Sequence, residues 1–220
     1  MTDFTWSFSS LKEYQQCPRK YHEIKVLKNY KFQDTPQTIY GKEVHTALEH
    51  YVRDGVELAK NYLRFKKMVD KLIDIPGDKY CEYEMGLNKE KEACDFDDPN
   101  RWVRGIVDLL IVDGEHAFII DYKTGSNKYP DPKQLRLMAL MTFAHFPKVK
   151  HIKAGLLFLM HDTFVQEKYE RDDIDNSWEK FKTPLQRLSM SYQNDTWMPN
   201  PTPLCGWCPV TTCEFYKQGR

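Results

Sequence analysis

Residues 103–112 (Val-Arg-Gly-Ile-Val-Asp-Leu-Leu-Ile-Val) and 117–122 (Ala-Phe-Ile-Ile-Asp-Tyr) are β-branched and aromatic runs separated only by Asp113-Gly114-Glu115-His116. Two such runs around an Asp-Gly turn predict a β-hairpin, and each run carries one acid, Asp108 and Asp121. If Gly114-Glu115 form the loop, Asp108 lies directly opposite Asp121; if Asp113-Gly114 form it, the two are diagonal neighbours. Either register puts Asp108, Asp121 and Lys123 on one face. The other face then carries Val107, Leu109, Ile111, Phe118, Ile120 and Tyr122, an apolar surface that helices must cover. A three-residue loop would separate the acids.

Two carboxylates meeting across a hairpin repel each other, and a hard divalent cation with oxygen ligands is the usual remedy. Lys123, on the same face, could orient or deprotonate an attacking water, or neutralise charge on a phosphate while a metal polarises the phosphoryl oxygen. This chemistry is metal-dependent cleavage of a phosphodiester. Alone, Asp-x-Lys is so common that the solvated face of an ordinary hairpin is the better reading of it.

The wider motif order is more specific. Gly-Ile-Val-Asp at 105–108, Asp-Tyr-Lys-Thr-Gly at 121–125 and Gln134-Leu135 opening a helix resemble the RecB-like branch of the PD-(D/E)XK nuclease superfamily. Upstream, Gly41-Lys-Glu-Val-His45 resembles that branch's Gly-x-x-x-His helix. The resemblance spans about residues 5–217. It implies a metal-dependent active site of His45, Asp108, Asp121, Lys123 and Gln134, with the Tyr122 backbone carbonyl as a further metal ligand and Mg²⁺ or Mn²⁺ as the cation. His45, Asp108 and Asp121 would hold metal, Lys123 would assist the water, and Gln134 would position Lys123 or the substrate. The family pattern commonly has a tyrosine four residues after the glutamine, where this chain has Met138. By residue type alone, His45 beside the stripe Tyr40, Val44, Ala47, Leu48 and Tyr51 reads as a structural histidine on a helix. Glu82 and Glu84 alternate on an expected strand, one of them a possible auxiliary carboxylate, with solvent the default for both.

Cys205, Cys208 and Cys213 lie within nine residues, spaced to wrap a metal centre, and Cys17 is the best candidate for a fourth ligand. Residues 9–21 resemble the N-terminal segment of RecB-like nucleases with an iron–sulfur cluster. The resemblance implies a 4Fe–4S cluster on Cys17, Cys205, Cys208 and Cys213, clasping the two ends of the domain. Zinc uses the same ligands, and His22 is close in sequence, so spacing does not separate the two. Cys81 and Cys94 are expected as free thiols. A disulfide framework is disfavoured because a chain of 220 residues can bury roughly 70–75% of its unfolded surface without staples.

These readings give an α/β fold: a restriction-endonuclease-like core with a mixed central sheet flanked by helices. One nuclease domain is expected over 1–220, with its core at about 36–192 and the iron–sulfur clasp at about 5–30 and 199–217. Helices are expected at 36–54, 56–74, 132–146 and 172–192, and strands at about 79–87, 102–112, 117–123, 152–160 and 163–170. No apolar stretch approaches the roughly 20 residues a bilayer span requires, and no signal peptide is evident, so the expected location is the cytoplasm, the host's if the chain is phage-encoded.

Net charge is zero, which leaves nucleic acid open as a partner because phosphate contacts need only a local basic surface. Lys12, Arg19, Lys20, Lys25, Lys28 and Lys31, interleaved with Tyr14, Tyr21, Tyr30 and Phe32, form such a segment; its aromatics suit stacked bases or a core equally. The expected partner is DNA, single-stranded or open-ended, with recombination, repair or adaptation proteins as further partners and no membrane. The motif order resembles CRISPR-associated RecB-like exonucleases, the AddB nuclease domain and phage exonucleases. Two other classes stay open: a DNA-end-binding module with little cleavage of its own, and a zinc-stabilised structural protein.

Overall fold

The computed structural model describes residues 4–31, 34–128 and 131–217. Two compact units emerge, residues 34–178 and a second unit of 1–33 with 179–220.

In the first unit, Thr35 caps helix α3 (Pro36–Asp54), which follows α1 (Phe8–Gln16) and α2 (Pro18–Tyr21) of the other unit. The Thr35 hydroxyl accepts from Thr38 N, the Thr38 hydroxyl accepts from Thr35 N, and Pro36 opens the first turn. Gly55, at φ +68°, ends it in the left-handed conformation. The next helix, α4 (Leu63–Ile73), begins seven residues later than the sequence pattern suggests. Leu58 and Tyr62 of the intervening segment are instead buried in the core, so tertiary packing overrides the local periodicity.

Six strands follow: β1 (Asp78–Leu87), β2 (Ala93–Cys94), β3 (Val103–Asp113), β4 (His116–Lys123), β5 (His151–Phe158) and β6 (Thr163–Glu170). They form one mixed sheet in the order β2-β1-β3-β4-β5-β6. Only β4 and β5 are parallel, and α5 (Lys133–His145) connects them as a βαβ crossover. The β3–β4 hairpin has the two-residue Gly114-Glu115 loop, closed by the pair Asp113↔His116, with Gly114 at φ +59°. Its pairs run to Leu109↔Ile120, so Asp108 and Asp121 are next in register, directly opposite.

Alternation along the strands separates two faces. Leu109, Ile111, Ile120 and Tyr122 join Val44 and Leu48 of α3 and Phe65 and Val69 of α4 in one core. Val107, expected on this face, is fully buried but lies outside that cluster. Helix α5 packs against β1, β3, β4 and β5. Eight of its residues, Leu135 and Leu137–Phe143, are buried, so it is apolar nearly all round, as an interior helix must be.

The second unit contains α1, α2, a π-helical turn at His22–Val26 and a 3₁₀ turn at Pro203–Trp207. Helix α6 (Ile174–Asn194) passes from the first unit into the second. Tyr14 and Tyr21 are core residues here, 6% and 2% exposed. The Tyr14 hydroxyl lies 2.8 Å from Ser191 Oγ, the Tyr21 hydroxyl 3.1 Å from that of Tyr192, and Tyr21 stacks on Trp197. Neither can serve as a base-stacking platform, because their rings are spent on the core. The basic segment is also partly neutralised: Lys20 and Lys25 face Glu13, and Arg19 pairs with the buried Glu23. Phe32 lies outside the described residues.

Candidate active site

Beyond Leu109↔Ile120 the β3–β4 ladder gives way, and the Asp108 side chain fills the gap: its Oδ2 accepts from Tyr122 N at 2.6 Å. This opening lets groups from both sides of the sheet meet. His45 arrives from α3, with Nε2 3.1 Å from the Tyr122 carbonyl and Nδ1 3.5 Å from Asp108 Oδ1. A carbonyl only accepts, so Nε2 carries the proton, and in the neutral ring the Nδ1 lone pair faces a carboxylate oxygen. Two such atoms need a positive charge between them, a proton or a metal ion. Burial of the imidazole opposes its charge, but Asp108, Asp121 and Glu82 outweigh burial and raise the His45 pKa.

Gly41, one turn before His45, explains the close approach of α3. A Cβ there would stand 3.2 Å from Thr124 Oγ1, just past the end of β4. The missing side chain lets the helix bring His45 onto the strand.

Glu82 completes the cluster. β1 pairs with β3 through Cys81↔Leu109 and Tyr83↔Val107, so Glu82 stands opposite Asp108, and three acids, Glu82, Asp108 and Asp121, cross three strands at one level. Glu82 has φ +47°, a left-handed conformation that is strained for a residue with a Cβ. Desolvation first, then the Asp108 charge, pushes its carboxyl up to about 7. His45, Glu82 and Asp108 each offer one ligand atom, and these atoms all lie within 4.8 Å of one another. One nitrogen and two carboxylate oxygens, with mutual repulsion unrelieved, suit a hard divalent cation. Sequence alternation offered Glu82 and Glu84 as equals; the structure turns Glu82 to the cluster and leaves Glu84 exposed.

Asp121 is turned differently. It is 2% exposed, and its Oδ1 accepts from Gln134 Nε2 at 2.8 Å. Lys123 Nζ lies 2.5 Å from its Oδ2 and donates to Gln134 Oε1 at 3.3 Å. The first turn of α5 thus clamps carboxylate and ammonium with one amide. Burial, then Asp108, pushes the Asp121 carboxyl up to about 6 against the pull of Lys123. Asp121 and the Tyr122 carbonyl, expected as metal ligands, face Lys123 and His45 respectively. Met138, where the family pattern has tyrosine, is buried in α5.

All six cysteines are free thiols, Cys81 and Cys94 in the first unit and the other four in the second. Cys17, Cys205, Cys208 and Cys213 line one cavity, together with Arg19 and Lys20. They ring it without converging: no three of the sulfurs come within 4.8 Å of one another. Backbone amides donate to two of them, Asn200 N to Cys17 Sγ and Thr202 N to Cys205 Sγ, each at 3.4 Å. His22 stacks on Trp197 and does not line the cavity.

Over residues 5–213 the sequence matches the family described as the PD-(D/E)XK nuclease superfamily. Among solved structures the fold is similar to SSO0001, at 14% identity and a TM-score of 0.52, covering 99% of this chain and 90% of that one. It is also similar to a protein of Eubacterium rectale titled "Putative exonuclease", at 11% identity and a TM-score of 0.53, covering 98% and 88%. No curated protein matches significantly. At these identities the structural likenesses speak for the fold alone. None of the described helices is long and apolar enough to cross a membrane.

Proposed function

Since the chain belongs to the PD-(D/E)XK nuclease superfamily, we propose that it is a divalent-cation-dependent deoxyribonuclease, acting as an exonuclease on open ends or single strands. The observation that carries this reading is the convergence of His45, Glu82 and Asp108 beside the Asp121–Lys123–Gln134 clamp. His45 Nδ1 and the carboxylates of Glu82 and Asp108 would hold Mg²⁺ or Mn²⁺, with Asp121 and the Tyr122 carbonyl joining if their present partners release them. When bound, such an ion polarises a phosphoryl oxygen and offsets the charge of the acids.

The protein's own groups supply the rest. Lys123 Nζ, held by Asp121 and Gln134, orients the attacking water and meets the charge that builds on the phosphate. Tyr122 N–H fixes the Asp108 carboxylate, and the Tyr122 carbonyl fixes the His45 ring, so one residue orients two ligands through its backbone. Gln134 keeps Lys123 beside Asp121 and so sets its reach.

Within the superfamily we assign the chain to the RecB-like, iron–sulfur branch. Cys17, Cys205, Cys208 and Cys213 are then the ligands of a 4Fe–4S cluster whose role is structural, tying residue 17 to the 205–213 segment. The shared cavity and the amide donors suited to anionic sulfur support metal-bound thiolates here, and they serve a cluster and zinc alike; the resemblance of residues 9–21 is what favours the cluster.

Cleavage of end-labelled single-stranded, duplex and closed circular DNA, with Mg²⁺, Mn²⁺ or EDTA, tests the reading. Metal-dependent loss of the open-ended substrates alone supports an exonuclease. Cutting of the circle makes the enzyme an endonuclease, and binding without cleavage makes it a DNA-end-binding module.

A further inference from the structure

The sheet carries a second surface that the proposed chemistry does not use. On β6, Phe164, Gln166, Lys168 and Glu170 are all exposed. Two of these, Lys168 and Glu170, line a concavity across β4, β5 and β6 together with His116, Phe118, His151 and Lys153. Lys153 and Lys168 are directly opposite in the β5–β6 ladder, a like-charge pair that weakens a sheet. Neither has an ion pair among the described residues; Lys153 lies over the Phe118 ring at 5.8 Å. His116 and His151 stack at 5.0 Å, and Glu170 is taken by His151.

A lysine on an edge strand often serves only to deter strand addition. That accounts for Lys168 on β6 but not for Lys153 on β5, an interior strand. Phe164 gives an independent sign. Its ring lies across Gly155, where an added Cβ would meet it at 2.1 Å, while the residue stays 47% exposed. Covering a glycine explains the ring's inner side; the outer side is an open aromatic platform.

The surface also has a direction. Phe164 pairs with Leu157, and Leu157 with Tyr122, whose carbonyl meets His45, so Phe164 stands two strands from the candidate active site, roughly 10 Å across the sheet. Lys168 is four residues along β6, roughly 13 Å further from that end.

We infer that the open β4–β5–β6 face binds single-stranded nucleic acid, a base stacking on Phe164 and the phosphates running over Lys153 and Lys168. This rests on the nuclease reading. A duplex keeps its bases stacked internally and cannot use the Phe164 platform, so the occupant is a single strand.

The test is fluorescence anisotropy of labelled oligo(dT) and of a blunt duplex, in EDTA over a range of NaCl, with the full chain. The variants are Lys153→Glu/Lys168→Glu, the milder Lys153→Gln/Lys168→Gln, and Phe164→Ala. Manganese-dependent hydrolysis of bis(p-nitrophenyl) phosphate, too small to reach this face, is followed in parallel. Charge reversal should weaken oligo(dT) binding at least about tenfold and flatten the log–log salt slope by roughly 1.4, for two phosphate contacts. The glutamine pair should lie between it and wild type, and Phe164→Ala should weaken binding with the slope kept. Unchanged oligo(dT) affinity in all three variants overturns the inference, as does an equal loss for the duplex. If wild type cleaves neither the small diester nor DNA while the binding losses still appear, the nuclease reading fails and the surface stands.

Discussion

Metal-free Asp121→Asn protein should be more stable than wild type at neutral pH and indistinguishable from it in acid. Asp121 is 2% exposed beside Asp108, and its carboxyl is raised from 3.8 to about 6, net of the Lys123 attraction. The folded state therefore binds this proton more tightly than the unfolded chain does. Its contribution is full below about pH 4 and is lost as pH rises through 6. At about 1.36 kcal/mol per pH unit, the ionised group costs the fold about 3 kcal/mol above that window. Asparagine keeps an oxygen for the Gln134 amide and turns its NH2 toward Lys123, whose ammonium, on a side chain 34% exposed, swings out to solvent. The substitution should thus raise Tm in EDTA at pH 8 by roughly 6–12 °C, at about 2–4 °C per kcal/mol for a chain of this size. Scanning calorimetry at pH 4 and pH 8 reads the difference, and Mg²⁺ at pH 8 should narrow it by stabilising wild type. A variant less stable than wild type at pH 8 without metal would refute the argument that unrelieved carboxylate repulsion stands at this level of the sheet.

Lys123→Ala should lower cleavage at least about 100-fold, the usual cost of losing a charge aimed at a developing anion. Gln134→Ala should cost less and be seen in kcat rather than KM, since it acts through Lys123. Gly41→Val forces α3 away from Thr124 and displaces His45; about tenfold or more should be lost from the rate by misplacement, with far-ultraviolet circular dichroism unchanged. Purified without oxygen, Cys17→Ser and Cys213→Ser protein should lose iron and visible absorbance, whereas Cys81→Ser and Cys94→Ser protein should keep both; zinc in place of iron would give colourless wild-type protein.

The hairpin was readable because a two-residue turn and strict alternation leave only two registers, and the one that sets Asp108 opposite Asp121 is observed. The α3 helix was readable from the stripe Tyr40, Val44, Ala47, Leu48 and Tyr51, and α5 from the motif that sets Gln134-Leu135 at the opening of a helix. Glu82 was not, because nothing in Glu-Tyr-Glu tells which acid faces inward, and a left-handed non-glycine residue leaves no compositional mark. Asp121's turn toward Lys123 and Gln134 depends on α5 reaching β4, a tertiary contact that spacing along the chain does not report. Tyr14 and Tyr21 beside lysines suited stacked bases or a core equally in the sequence, and contacts with Ser191 and Tyr192, over 170 residues away, place them in the core. The exposed aromatic of the sheet, Phe164, carries no nearby motif at all.

Cleavage should depend on the cation site proposed at His45, Glu82 and Asp108. The most direct test is a Mn²⁺ titration followed by electron paramagnetic resonance, with degradation of end-labelled single-stranded DNA measured on the same samples of wild type, Glu82→Gln and Asp108→Asn. Wild type should bind Mn²⁺ and cleave in proportion to occupancy, and both variants should lose binding and cleavage together. Cleavage that persists in EDTA, or in Asp108→Asn protein with wild-type metal dependence, would contradict this dependence.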